Sequence, residues 1–252
     1  MKNSSTQRFQ TTIAILAAML VTVMASAASA QTAEELIAKN LQAQGGREAL
    51  VGLKSLERKG DVSVDGTFGQ MDGTVEEVVI PWKKARRSLD LAVFVQKDGW
   101  NGTVAWRDGM MGVQELEGEE SNQIKQAVDI NPFVMIGQRE TKAEKLDDEK
   151  IDDVEYNVIQ LTQKDRPVVK VFLDKESGQI ARTALTQNHP QFGMVDIVIE
   201  TSDYEQFGPV KLATKSKLTL GELLQVDTTF TETKVNGDVD ESVFEKPEPA
   251  AK

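Results

Sequence analysis

Cysteine is absent from the 252-residue sequence, and histidine occurs once. Without cysteine the chain cannot form disulfides, zinc–thiolate sites or reactive thiols, so a buried core must stabilise the fold. The single histidine, His189, lies in Asn188-His189-Pro190, a pattern typical of a turn. One histidine makes a zinc site only if carboxylates supply the other ligands. We therefore interpret His189 as a turn residue and expect neither a metal nor a cofactor.

Catalytic motifs are absent as well. The serines lack a Gly-x-Ser-x-Gly context, and Gly66, Gly69 and Gly73 are not followed by the Lys-Ser/Thr and helix of a phosphate-binding loop. The charged stretch 142–153 lacks the glycine of a calcium-binding loop, and it predicts a solvated connection. The sequence therefore favours a protein that is not an enzyme. The alternative of a secreted hydrolase would need a base or a metal that the sequence does not show.

Basic residues are scarce relative to acidic ones. The chain has 29 lysines and arginines against 40 aspartates and glutamates, a formal net charge of −11. Such a charge argues against nucleic-acid binding and against adhesion to anionic lipid head groups. We expect a monomer whose acidic surface serves solubility.

The N-terminus has the features of a secretory signal peptide. Lys2 and Arg8 precede an apolar run over residues 13–24, and Ala28 and Ala30 occupy the positions that a signal peptidase recognises. The run is short for a membrane span, although an uncleaved anchor remains the alternative. We predict cleavage after Ala30, a periplasmic location, one domain over residues 31–246 and a disordered tail over 247–252.

After the signal peptide, helical patterns give way to a period of two. Residues 32–44 and 47–53 predict helices separated by two glycines, and residues 119–128 predict another helix. Short alternating segments separated by tight turns begin at Leu56 and predict a meander that curls towards a barrel.

Large apolar side chains are the remaining candidates for function. Residues 98–111 predict a hairpin that begins with an Asp-Gly turn, and counting by two puts Trp100 and Trp106 on one face. We predict that this face lines a cavity, while for each side chain the alternative is ordinary core. The candidate ligand-binding residues are Trp82, Phe94, Trp100, Trp106, Met110, Met111, Phe133, Met135, Phe192 and Met194.

Five segments resemble the outer-membrane lipoprotein-sorting family, which has the LolA/LolB-like fold. Residues 45–60 are similar to the helix, Gly-Gly and first strand of that family, and residues 98–106 are similar to its Asp-Gly…Trp hairpin. The others are the Asp-x-x-Ser-Gly turn at 174–178, the segment 207–213 and the closing segment 235–247. Ala213 stands where many relatives have proline, and neither Arg47 nor Arg58 matches the arginine that locks the lid of the lipoprotein carriers.

The resemblance implies the fold and a class of function. It implies a mainly β, α+β protein with an open curved antiparallel sheet of about eleven strands, an incomplete barrel, and short helices on the concave side. The helices at 32–44 and 119–128 and the loop 131–137 would form a lid. The implied function is non-enzymatic carriage of an acyl chain, as lipoprotein or lipid transport to the outer membrane, with a membrane exporter or receptor as partner. The alternative is a sensory lipid-binding module that acts through a protein partner.

Overall fold

The computed structural model describes residues 31–67, 69–137, 140–164, 166–189 and 193–248. Helix α1 (Ala33–Ala43) begins at a capping box: Thr32 Oγ1 accepts a hydrogen bond from Glu35 N at 3.2 Å, and Glu35 Oε2 accepts one from Thr32 N at 3.0 Å. Helix α2 (Arg47–Val51) follows two glycines. Gly45 has a φ of 105°, and a Cβ there would lie 2.2 Å from Pro209 O, so only glycine fits. The two helices predicted in this region are therefore confirmed.

The described residues form one antiparallel sheet of fourteen strands. Its order is β6-β5-β4-β3-β2-β1-β14-β13-β12-β11-β10-β9-β7, and β8 also pairs with β9. The strands are β1 (Leu56–Gly66), β2 (Gly69–Ile80), β3 (Lys84–Asp90), β4 (Val95–Trp100), β5 (Ala105–Gly109), β6 (Gly112–Leu116), β7 (Thr141–Lys145), β8 (Glu149–Ile151), β9 (Val154–Gln163), β10 (Val169–Asp174), β11 (Ile180–His189), β12 (Gly193–Phe207), β13 (Val210–Leu220) and β14 (Leu224–Val235). Helix α3 (Gly118–Gln126) follows β6, and a 3-10 helix spans Glu241–Phe244. The predicted open curved antiparallel sheet is thus confirmed.

The sheet has more strands than the predicted eleven or so. Two of the additional strands, β7 and β8, lie almost wholly in the charged stretch 142–153, which predicted a solvated connection. Both pair with β9 near the sheet edge, where charged side chains can alternate towards solvent without loss of pairing.

The turn of the hairpin over residues 98–111 was predicted in the wrong place. Asp98 and Gly99 lie inside β4, and the chain reverses at residues 101–104. Asn101 makes this turn, because its Oδ1 accepts hydrogen bonds from Thr103 N at 2.9 Å and Val104 N at 2.8 Å. Gly99 instead allows the Trp106 indole to approach, since a Cβ at Gly99 would lie 2.3 Å from that ring.

Two apolar clusters lie on one face of the sheet. The main cluster joins helical and loop residues such as Leu36, Leu50 and Phe133 to strand residues such as Val79. The second cluster consists of Val62, Val64, Val75, Leu91 and Phe230. Val75 and Val79 are four residues apart in a strand that pairs with β1 without a register shift, so both clusters occupy the same face. The helices cover this face at one end of the strands only.

No helix among the described residues has the length and apolar character needed to cross a membrane.

Candidate functional site

A cavity of about 520 Å³ lies on the helix-bearing face of the sheet. Its walls include members of both clusters and their neighbours, so it lies between the two apolar ends. The apolar lining includes Leu56, Val79, Leu89, Leu212, Val226 and Phe230. Small-molecule sites in proteins have volumes of roughly 300–1,000 Å³, so this cavity is large enough to hold one apolar ligand.

A row of alternating charges crosses the face between the two clusters. This charged row consists of Arg58, Glu77, Arg87, Asp98 and Arg107, one from each of β1 to β5, and each is directly opposite the next in the strand register. The first four line the cavity. Opposite charges at directly opposed positions attract, so the row also supports the register of the strands.

Glu77 is held between two guanidinium groups. Its Oε2 accepts a hydrogen bond from Arg58 Nη2 at 2.5 Å, and its Oε1 lies 3.6 Å from Arg87 Nε. Burial alone would raise the pKa of Glu77, but the charges of Arg58 and Arg87 and the hydrogen bond from Arg58 together hold that pKa below its usual value. Glu77 is therefore ionised at neutral pH.

The two arginines beside Glu77 differ in how well they are bound. The guanidinium carbon of Arg58 lies 3.9 Å from the centroid of the Phe230 ring, a cation–π contact, and only 22% of its side chain is exposed. The Arg87 side chain is 41% exposed, and its guanidinium makes no hydrogen bond to any described residue. Arg87, which lines the cavity, therefore has unused N–H donors.

A buried amide network holds the helical cover in place. Asn131 Nδ2 donates to Asn40 Oδ1 and to Gln44 Oε1, both at 2.9 Å, and Asn131 Oδ1 accepts from Phe133 N at 2.7 Å. Asn40 Nδ2 donates to Gly178 O at 2.8 Å, which ties α1 to the turn after β10. Gln44 also lines the cavity, so the network closes one end of it.

Half of the candidates from the sequence belong to the apolar clusters or pack against them, and do not lie in the cavity wall. Phe133 is fully buried in the main cluster, and Trp82, Trp100 and Met135 are half-buried against it. Phe94 packs against the second cluster. None of these five lines the cavity, so their contact with a ligand stays a prediction.

Trp106 was predicted to share a face with Trp100, and that prediction is wrong. Trp100 pairs directly with Ala105, which puts Trp106 on the opposite face. Its Nε1 donates to Phe244 O at 2.8 Å, beneath the 3-10 helix. Counting by two failed because residues 101–104 form a turn and are not extended.

The methionine candidates at strand ends lie on the surface. Met110 is 87% exposed, Met111 81% and Met194 67%. Phe192 and the side chain of His189 lie outside the described residues. Within the described ranges, no group of three or more His, Asp or Glu side chains is arranged to hold a metal ion.

Sequence reasoning missed the charged row. The available signal was a charge at alternate positions of apolar strands, as in Leu56 and Arg58 or Glu77 and Val79. That pattern indicates only that a charged side chain lies on the same face of the strand as core residues. Which charges meet depends on the register of five strands, which the sequence does not specify.

No model of a known protein family matches the sequence, and no curated protein does. Solved structures share the fold. A LolA superfamily protein from Nitrosomonas europaea superposes with a TM-score of 0.59 at 13% identity, covering 86% of this chain and 99% of that one. An outer membrane lipoprotein-sorting protein domain from Vibrio parahaemolyticus gives 0.55 at 11%, covering 82% and 97%. A DUF1329 family protein from Desulfovibrio piger gives 0.60 at 9%, covering 84% and 95%. The fold is therefore LolA-like, as the sequence resemblance predicted.

Proposed function

We propose that this chain is a non-enzymatic periplasmic binding protein that carries an acyl chain in its half-barrel cavity. The observation that carries the proposal is the cavity of about 520 Å³ between two apolar clusters. The LolA-like fold and the signal-peptide pattern before residue 31 support it. The cargo would be a lipoprotein or a lipid on its way to the outer membrane.

The apolar ends of the cavity suit a hydrocarbon chain. Transfer of one CH₂ group from water to an apolar site contributes about 0.8 kcal/mol, so a chain of ten buried groups would gain roughly 8 kcal/mol before the costs of association. This gain is enough for useful affinity without a reactive group.

Native mass spectrometry of protein purified from a bacterial periplasm is the direct test. We expect a bound species whose mass identifies an acylated molecule, and displacement of that species by a fluorescent fatty-acyl probe. Protein that is always free of ligand and that fails to bind such probes would exclude the proposal. The same mass spectrum tests cleavage after Ala30.

A lipid-sensing module that acts through a protein partner is the alternative. The observation that favours it is the adjacent pair Met110 and Met111, which are 87% and 81% exposed at the turn between β5 and β6 and which a partner protein would cover. A lipid-transfer assay between donor and acceptor vesicles separates the two functions. Transfer supports carriage, whereas partner capture from an inner membrane without any transfer supports sensing.

A further inference from the structure

The charged side chains on the cavity wall differ in how many hydrogen-bond partners they have. Both carboxylates of the charged row have close cationic or amide partners. Glu77 accepts from Arg58, and Asp98 accepts from Arg107 Nε at 2.7 Å and from Gln96 Nε2 at 3.0 Å. Arg87, which stands opposite both carboxylates in the register, has only the 3.6 Å contact with Glu77. The group with unmet hydrogen-bonding capacity is therefore a cation.

Another cation of the cavity wall, Lys215, is already paired. Lys215 Nζ lies 2.6 Å from Asp203 Oδ2. Arg86 alternates with Arg87 along β3, so its side chain is directed to the other face. Arg87 is thus the one lining cation, among the described residues on this face, without a hydrogen-bonded carboxylate.

A planar guanidinium with free donors binds carboxylate or phosphate oxygens in a forked geometry. Around Arg87, the neighbours along the strand on the same face are Ala85, of the main cluster, and Leu89, which packs on the second cluster. An anionic group at Arg87 would therefore have apolar wall on either side for a hydrocarbon chain. Glu77 and Arg58 position Arg87, because the fixed carboxylate limits where its Nε can lie.

We propose that the cavity selects an anionic amphiphile, and that Arg87 binds its oxyanion while the apolar ends of the cavity bind its chain. This inference rests on the proposed function, because it needs an acyl chain in the cavity. The oxyanion is a carboxylate, as in a free fatty acid, or a phosphate, as in a lipid head group. Neutral amphiphiles of the same length bind more weakly.

The test uses two matched pairs of probes and calorimetric titration below the concentration at which each forms micelles. Oleate is compared with oleyl alcohol, and lysophosphatidate with monooleoylglycerol. Hydrogen bonds to charged groups contribute about 1.5–3 kcal/mol, so we expect the anionic member of at least one pair to bind about 10- to 100-fold more tightly. Preference within the first pair identifies a carboxylate ligand, and preference confined to the second identifies a phosphate ligand.

Three variants assign the preference to Arg87. Arg87→Gln should remove it while leaving the affinity for the neutral probe unchanged, and Arg87→Lys should restore part of it. Arg182→Gln is the matched control, because Arg182 pairs with Glu200 across β11 and β12 at 2.9 Å but does not line the cavity. Circular dichroism and thermal unfolding verify that each variant is folded.

Three other results would each overturn one part of the proposal. Equal binding of both members in both pairs would overturn the anionic preference and leave acyl carriage intact. A preference that survives Arg87→Gln would overturn the assignment to Arg87. If no amphiphile binds the wild-type protein, the proposed function fails together with this inference.

Discussion

The main cluster and the charged row share one face of the same strands but have opposite chemistry. Val79 belongs to the main cluster and is 5% exposed, whereas Glu77, two residues away on that face, has guanidinium partners, and both residues line the cavity. The strand geometry is the same for both. What differs is the set of neighbours, because residues of α1, α2 and the turn at 131–136 belong to the same cluster as Val79, whereas the partners of Glu77 are charged groups of the adjacent strands.

Because of this difference, we expect the main cluster to contribute chiefly to the stability of the fold and Arg87 of the charged row to contribute chiefly to ligand recognition. Apolar side chains packed under the helices contribute chiefly by burial, and those that also line the cavity offer a ligand only apolar contact. A partly exposed cation with unused donors contributes little to folding and can discriminate among ligands. Substitutions in the cluster should therefore change chiefly the free energy of unfolding, and substitution of Arg87 should change chiefly ligand binding.

The largest effect is expected for Phe133→Ala, in the main cluster. The ring is fully buried, and removal of a buried phenylalanine ring costs about 3–5 kcal/mol. Urea denaturation should show this loss, and ligand affinity of the folded fraction should be unchanged. Phe133→Leu, which keeps much of the buried surface, is the control and should lose less. A selective loss of acyl binding would show instead that Phe133 contacts the ligand, as the sequence predicted.

The next effect is expected for Asn131→Ala, in the buried amide network. The substitution leaves Asn40 Oδ1, Gln44 Oε1 and Phe133 N without their partner, and we expect a total loss of about 1–3 kcal/mol, the penalty of leaving buried polar groups unsatisfied. Since these bonds hold the helical cover, hydrogen exchange of α1 should accelerate more than exchange of β12. Uniform acceleration of both elements would contradict a local role for the network.

Much of the fold could be predicted from the sequence because local signals and the global fold agree. Thr32 with Glu35 marks the start of α1, and two glycines mark its end. The alternation of apolar and polar residues predicted most of the strands. The edge strands β7 and β8 were missed because charge at alternate positions looks the same in an exposed strand and in a solvated loop.

The site was less predictable because it depends on the register of the strands and on which side chains the helices bury. Trp100 and Trp106 look equivalent in sequence, yet a four-residue turn puts them on opposite faces. Arg87 looks like any surface arginine, and its significance arises only from the strands on either side. Large apolar side chains were expected in the cavity, but the helices bury several of them.

A smaller effect is expected for Glu77→Gln, in the charged row, and it should depend on pH. The pKa of Glu77 is depressed in the folded protein, so its contribution is fully present above its ordinary value of 4.5 and is lost as the pH falls through the folded value. At neutral pH we expect Glu77→Gln to be less stable than the wild type by about 1–2 kcal/mol, since two guanidinium groups lose a carboxylate. The difference should shrink below pH 4.5.

Urea denaturation across this pH range measures the difference directly. Other carboxylates with depressed pKa values, such as Asp148 and Asp174, contribute equally to both proteins and cancel in the comparison. A stability difference that stays constant down to acid pH would mean that the Glu77 charge does not stabilise the row.

The smallest effect is expected for Met110→Ser, which lies in neither region. Met110 is 87% exposed at the turn between β5 and β6, and exposed substitutions of this kind change stability by about 0.5 kcal/mol or less. Binding of an acyl probe should also be unchanged, because the cavity wall does not include this side chain. Met194→Ser, at 67% exposure, is the parallel case. A loss of acyl affinity in either variant would mean that the ligand reaches the strand ends, and recognition would then extend beyond the cavity between the clusters.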